Sequence, residues 1–182
     1  MVSYVPYIWL TLKGKVKPHA FSWTIWGLLT LIGFAAQWVE GAGPGSWVMG
    51  FSGVVCSFIA VLGFIMGEKN VTLSDRLTFI AGLAAIPAWL FTSNPLYAVI
   101  IISVIDALGF YPTFRKSYHK PWEEFLTHYS LASIKFLLSL FALEQFNLTT
   151  TLYPASLIFM NAAFLAMTLW RRRVLPRKAA YT

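Results

Sequence analysis

The sequence predicts an all-α protein, a polytopic bundle of membrane helices in a single domain over residues 1–182. Of its 182 residues, 58% are hydrophobic and 12% are charged, and the mean hydropathy is +0.65. A soluble domain has roughly 25% charged residues, so this chain has too little polar surface to stay dissolved. The apolar residues also fall in long blocks, each close to the length that crosses ~30 Å of hydrocarbon as a helix.

Seven hydrophobic segments follow one another along the chain. The first, residues 2–12, is only about half a span long at about 1.5 Å per residue. It is predicted to be a short first helix, a truncated spanning helix or a helix that lies in the membrane interface. The sequence thus predicts seven spans with a short first one, or six if residues 2–12 do not span. The six longer segments are 20–39, 47–67, 74–92, 95–114, 122–143 and 148–170.

The basic residues fall on one side of the predicted bundle. If every segment crosses once, alternate connections and the tail hold 13 of the 14 Lys and Arg residues, whereas the opposite loops hold Glu40 and Glu144. Basic loops mark the cytoplasmic side, so we expect a multi-pass protein of the inner or plasma membrane with a cytoplasmic C-terminus. The net charge of +7 is explained by this orientation, and no nucleic-acid partner is expected. The 13 residues are Lys13, Lys15, Lys17, Lys69, Arg76, Arg115, Lys116, Lys120, Arg171, Arg172, Arg173, Arg177 and Lys178.

The chain resembles a tandem duplication. Pro6 precedes a basic loop that ends at Pro18, and Pro112 precedes a basic loop that ends at Pro121. Two three-helix copies facing the same way need a linker helix between them, and the fourth segment, almost free of polar side chains, suits that role. The predicted parts are a first three-helix unit over 1–68, a linker helix over 74–92, a second unit over 95–170 and a basic tail over 171–182.

These features resemble a known class of transporters. A proline near a helix end, a short basic loop and a Ser-Trp pair in the next helix are similar to the PQ-loop and SWEET class, although Tyr7 and Thr113 replace the glutamine of its Pro-Gln pair. The 3+1+3 layout is similar to SWEET sugar transporters and nicotinamide riboside vitamin transporters. The resemblance implies that Asn161 corresponds to a pocket asparagine on the last helix, although an interhelical hydrogen bond would explain it equally.

Polar residues form one stripe on each of four predicted helices, and on the sixth segment the stripe holds Glu124, His128, Lys135 and Ser139. Ionisable residues inside spans usually face a bundle interior or a wet cavity, so these stripes indicate a shared polar interior. Asp106 and Lys135 lie at similar depth on consecutive helices, which predicts an ion pair that either serves the site or locks the helices together. Trp23 could belong instead to an interfacial aromatic belt. The predicted substrate-binding residues are Trp23, Trp26, Thr30, Asp106, Lys135 and Asn161.

Four further residues are candidates for proton transfer or gating. Glu124 and His128, spaced i, i+4, could hold a metal ion or relay a proton, although a helix-capping Glu and an interfacial His are the simpler explanation. Pro6 and Pro112 could act as paired hinges, or each could simply end its helix. No metal site or other cofactor is expected.

The pattern as a whole predicts a transporter for a small polar solute that works by alternating access between two three-helix units. The alternative is a non-transporting membrane subunit or scaffold of a larger complex, whose basic tail contacts a partner or anionic lipid. An enzyme is not expected, because the chain lacks His-Glu-x-x-His and Gly-x-Ser-x-Gly motifs. The expected partners are the solute, the lipid bilayer, and a second copy of the chain or a membrane partner protein.

Overall fold

A computed structural model describes residues 4–14, 18, 20–67, 73, 76–77, 80–81, 84, 87, 91, 94–119, 121–123 and 126–175. These residues are helical apart from short turns and contain no strand, which confirms the all-α class. Short 3-10 helices at Gly43–Ser46 and Pro121–Glu123 connect longer ones. The main helices are α1 (Tyr4–Leu12), α2 (Ala20–Val39), α3 (Trp47–Met66), α4 (Pro95–His119), α5 (Leu126–Phe141) and α6 (Leu148–Val174).

Three helical stretches are long and apolar enough to cross a membrane, namely Ser22–Val39, Gly43–Met66 and Leu148–Val174. They identify a membrane protein. The apolar parts of α4 and α5, Pro95–Phe110 and Leu126–Phe141, are shorter than a full span. The described α1 has nine residues, or about 13 Å at about 1.5 Å per residue, so it is too short to cross on its own.

Two predicted helix ends are wrong, because both helices continue into basic sequence. α4 runs past Pro112 to His119, and α6 runs through three arginines to Val174. The two ends hold each other: the Arg171 Nε–H donates to the Tyr118 carbonyl (2.8 Å), and the guanidinium lies 4.0 Å from the Tyr118 ring centre. Because α1 also continues past Pro6 to Leu12, neither proline ends its helix.

The predicted linker helix, 74–92, lies mostly outside the described residues. Those that the structure describes between positions 68 and 93 are helical and exposed, as a helix that is apolar all round and faces lipid would be. They are Leu73, Arg76, Leu77, Ile80, Ala81, Ala84, Pro87 and Phe91.

The six helices form two groups, which we call the first helix group (α1–α3) and the second helix group (α4–α6). In each group the third helix packs against both of the others: α3 against α1 and α2, and α6 against α4 and α5. Glycines let α2 and α3 approach closely, since a Cβ on Gly63 would lie 2.9 Å from Ala20 Cα and one on Gly27 would lie 3.1 Å from the Ser57 backbone nitrogen. α2 also packs against α4, and the apolar core there joins the two groups.

The two groups also meet at one end of the bundle. The loop after α2 and the loop after α5 lie against each other there, and we call this the acidic end because it carries Glu40 and Glu144. The Gly45 N–H donates to the Ala142 carbonyl (2.9 Å), and the Glu144 N–H donates to the Ala42 carbonyl (3.0 Å). The opposite end, with the Arg171–Tyr118 contact, is the basic end.

Candidate binding site around Lys135

The side chain of Lys135, on α5 of the second helix group, reaches the first helix group. Its Nζ donates to Ser52 Oγ on α3 (2.9 Å) and to Tyr4 Oη on α1 (3.2 Å). The ammonium also lies 4.1 Å from the ring centre of Phe136 and 5.1 Å from that of Tyr4, within the range of cation–π attraction. This partly buried lysine therefore ties three helices together through neutral partners.

Cys56 and His128 complete what we call the Lys135 cluster, made of Tyr4, Ser52, Cys56, His128 and Lys135. Tyr4 lies at its centre: its hydroxyl is 3.7 Å from Cys56 Sγ, and its ring lies edge-on to His128 with centroids 6.4 Å apart. Ser52 and Cys56 are both buried and are one helical turn apart on α3, so they present one small polar face to α5.

A row of aromatic side chains continues from Tyr4 along α2. The Trp23 ring lies edge-on to Tyr4 (6.4 Å) and to Trp26 (5.4 Å), and its Nε1–H donates to Tyr7 Oη (3.1 Å). Trp23 is only 5% exposed, so its assignment to an interfacial belt is wrong. A belt tryptophan keeps its N–H near water, whereas this one is satisfied inside the protein. Trp26 is half-buried beside it.

The predicted ion pair between Asp106 and Lys135 does not form. Both hydrogen bonds of Lys135 go to hydroxyls, and Asp106 Oδ2, in a side chain 3% exposed, has no hydrogen-bond partner among the described residues. The physical reason is the helix order. α6 lies between α4 and α5, so these two consecutive helices do not pack face to face over their described parts.

Asp106 belongs instead to a second polar position, close to Tyr153 on α6. Tyr153 is 1% exposed, and its hydroxyl also has no partner among the described residues. It interacts electrostatically with Asp106 and, from the Lys135 cluster, with Cys56 and Tyr4. Its ring fills the space over Gly33, where a Cβ would lie 2.6 Å from Tyr153 Cδ1. Asp106 Oδ2 and the Tyr153 hydroxyl are thus two buried oxygen atoms without a hydrogen-bond partner among the described residues.

Two other predicted site residues bond to their own helices. The Thr30 hydroxyl donates to the Trp26 carbonyl (2.6 Å), and the Asn161 amide donates to the Leu157 carbonyl (2.7 Å). Hydroxyl and amide side chains in a helix commonly bond the preceding turn in this way. Thr30 is buried against Gly53 of α3, which places it in a helix interface. No hydrogen bond joins either residue to the Lys135 cluster.

The four residues predicted for gating have different outcomes. His128 is in the Lys135 cluster, whereas Glu124 lies outside the described residues. Pro6 is exposed on α1, and Pro112 is within α4 although its side chain lies outside the described part. Among the described residues no three His, Cys, Asp or Glu side chains meet in a way that could hold a metal ion.

Sequence reasoning missed four participants, namely Tyr4, Ser52, Cys56 and Tyr153. None of them is among the residues that the predicted polar stripes assigned to the site, and polar side chains in a helix commonly bond within their own helix. The available signal was the spacing of Ser52 and Cys56, four residues apart on one face of α3.

Comparison with known proteins finds no family model, no curated protein and no solved structure that matches this chain.

Proposed function

We propose that this protein is a membrane transporter for a small polar solute, working by alternating access between the two helix groups. The observation that carries the proposal is Lys135, a cation inside the bundle whose hydrogen bonds cross to the other helix group and end on neutral hydroxyls. A charge inside a membrane protein is costly, and such charges commonly mark a substrate or ion path. Substrate sites of transporters with internal repeats lie between the repeated units.

The arrangement of the helices supports an internal repeat. In both groups the third helix packs against the first two. The helices that hold Pro6 and Pro112, α1 and α4, also end at comparable points, since Leu12 is six residues after Pro6 and His119 is seven after Pro112. With the segment over 74–92 as a linker, this gives the seven-helix layout that resembles SWEET and PQ-loop transporters. Interior prolines at equivalent places would let both helices bend as the groups move.

The acidic end supplies contacts that a transport cycle would have to break. Backbone hydrogen bonds join the groups there, and two side-chain bonds reinforce them: Gln37 Nε2 donates to the Thr150 carbonyl (2.6 Å) and Asn147 Nδ2 donates to Glu40 Oε2 (3.1 Å). The conformation described here is thus closed at the acidic end. By the positive-inside rule the basic end faces the cytoplasm, so the closed end is the outer one.

The test is uptake by liposomes that contain the purified protein alone, with a panel of labelled sugars, amino acids, vitamins and organic acids. We expect at least one solute to enter at a saturable rate, and Lys135→Met to reduce that rate at least tenfold. Protein-free liposomes give the leak, and the unfolding temperature of the variant shows that it is folded. If no solute enters and the protein purifies with a fixed partner, it is a membrane subunit or scaffold and the proposal is wrong.

A further inference from the structure

We infer that the Lys135 cluster binds the carboxylate of a small organic monoanion. This inference rests on the proposed function, because it names the class of solute that the transporter would carry.

The ammonium has a donor to spare. It carries three N–H groups, of which one donates to Ser52 Oγ at 2.9 Å and one to Tyr4 Oη at 3.2 Å. Ser52 Oγ in turn donates to the Val48 carbonyl at 2.7 Å, so the hydroxyl is held in place as an acceptor for the lysine. The third N–H has no acceptor among the described residues, and it can therefore meet an oxygen atom of a bound solute.

The charge of Lys135 is also not balanced by the described residues. Among the described residues, the titratable side chains that contact Lys135 or interact electrostatically with it are Tyr4, Cys56 and His128, and none of them is a carboxylate. Asp106 makes no hydrogen bond or ion pair with the lysine, whose two hydrogen bonds end on hydroxyls. A solute carrying one negative charge would supply the missing counter-charge, and a single lysine matches a monoanion.

The surroundings favour an organic anion over an inorganic one. Phe136, Trp23 and Ile59 are buried near Lys135 or Tyr4, so the site has apolar walls beside its one cation. In such surroundings opposite charges attract more strongly than in water, but an anion must give up its hydration to enter. An organic body offsets that cost because it buries apolar surface on the same walls, which chloride cannot do.

The experiment measures thermal unfolding of the purified full-length protein with matched pairs of solutes that differ only in charge. The pairs are benzoate with benzamide and butyrate with butyramide, and sodium chloride and formate serve as small anions. A solute that binds the native state raises its unfolding temperature in proportion to the logarithm of its concentration. We expect a concentration-dependent rise with at least one organic carboxylate, and a rise at least fivefold smaller with its amide, chloride or formate.

Two variants form the matched control. Lys135→Met should remove the carboxylate-dependent rise, whereas Lys13→Met should keep it, although Lys13 also places its ammonium near a ring, 4.0 Å from the Trp9 centroid at the exposed end of α1. If Lys135→Met does not fold, the matched pairs on the unaltered protein still decide the question. Equal stabilisation by carboxylate and amide, or no stabilisation by either carboxylate, overturns the inference.

The outcome is separate from that of the transport assay. Uptake of neutral solutes at rates unaffected by Lys135→Met would refute the carboxylate site and leave the transporter standing. A carboxylate that stabilises the protein through Lys135 but never enters liposomes would support the site and refute transport.

Discussion

The two helix groups contribute different chemistry to the interior they share. The helices of the first group contain no Asp, Glu, Lys, Arg or His within their described bounds, and they offer hydroxyls, a thiol and indoles. Among the described residues, the interior side chains of Asp106, His128 and Lys135 all come from the second group. Two groups with the same packing order therefore play unequal parts: one supplies charge, and the other supplies neutral surface that receives it.

The contrast continues within the second group. Lys135 extends to the first group and finds two hydroxyl partners, whereas Asp106 remains between α4, α6 and α2 without a hydrogen bond to Oδ2. A cation whose hydrogen bonds cross between the groups can respond when the groups move, whereas a carboxyl oxygen without a hydrogen-bond partner among the described residues has no such link. Lys135 is therefore suited to binding a solute, whereas Asp106 is suited to accepting a proton or to remaining buried in its neutral form.

The largest expected effect comes from joining the groups covalently. The double variant Ala42→Cys, Glu144→Cys places two cysteines on adjacent backbones, because the Glu144 N–H donates to the Ala42 carbonyl at 3.0 Å. The native Cys56 is buried away from them. We expect oxidation to lower the rate of solute uptake at least tenfold, because the cross-linked acidic end can no longer open. Reduction of the disulfide should restore the rate. The single-cysteine variants are the controls, and undiminished uptake by the cross-linked protein would show that the groups do not separate there.

A packing change at the same contact should cost stability. A Cβ on Gly45 would lie 2.7 Å from the Ser139 carbonyl oxygen and 2.9 Å from the carbonyl carbon of Ala142, both backbone atoms. We expect Gly45→Ala to lower the free energy of unfolding by about 2–3 kcal/mol, the upper range for overpacking. The matched control is Gly109→Ala in α4, where nothing lies within 4 Å and alanine should be neutral or stabilise by up to ~1 kcal/mol. Equal effects of the two changes would contradict the tight contact between the groups.

The next effect isolates the bond from Lys135 to the first group. Ser52→Ala removes the acceptor at 2.9 Å from the lysine, and we expect a loss of about 1–2 kcal/mol in unfolding free energy, between the usual values for charged and for membrane-buried hydrogen bonds. Ser57→Ala is the control, because that hydroxyl bonds only the Gly53 carbonyl of its own helix (2.8 Å) and should cost less than ~0.5 kcal/mol. Unfolding in graded denaturant measures both, and indistinguishable losses would mean that the lysine bond adds no stability.

The smallest effect is expected at Asp106. Because Oδ2 makes no hydrogen bond with the described residues, Asp106→Asn removes a group whose ionised form is costly to bury and breaks no observed bond to that atom. The unfolding free energy should stay within about 1 kcal/mol of the unaltered protein or rise. A loss above ~2 kcal/mol, measured as for the serine variants, would reveal a counter-charge for Asp106 and would erase the contrast with Lys135.

Much of the fold could be predicted from the sequence, because it depends on local patterns. The apolar blocks predicted α2, α3 and α6 closely, and the polar stripe on the sixth segment predicted that His128 and Lys135 share one face of α5. Helix ends were less predictable. Basic residues after an apolar block look like a loop, yet α4 and α6 continue because Arg171 bonds the end of α4.

The partners of Lys135 were decided only by the tertiary structure. Sequence neighbours suggested that α4 and α5 face each other, whereas α6 packs between them and leaves Asp106 beside Tyr153. Periodicity fixes which face of a helix is polar but carries no information on which distant helix meets that face. The sequence by itself therefore determined a membrane bundle of helices with an inward-facing lysine, and the packing of α3 and α1 against α5 decided that Ser52 and Tyr4 receive it.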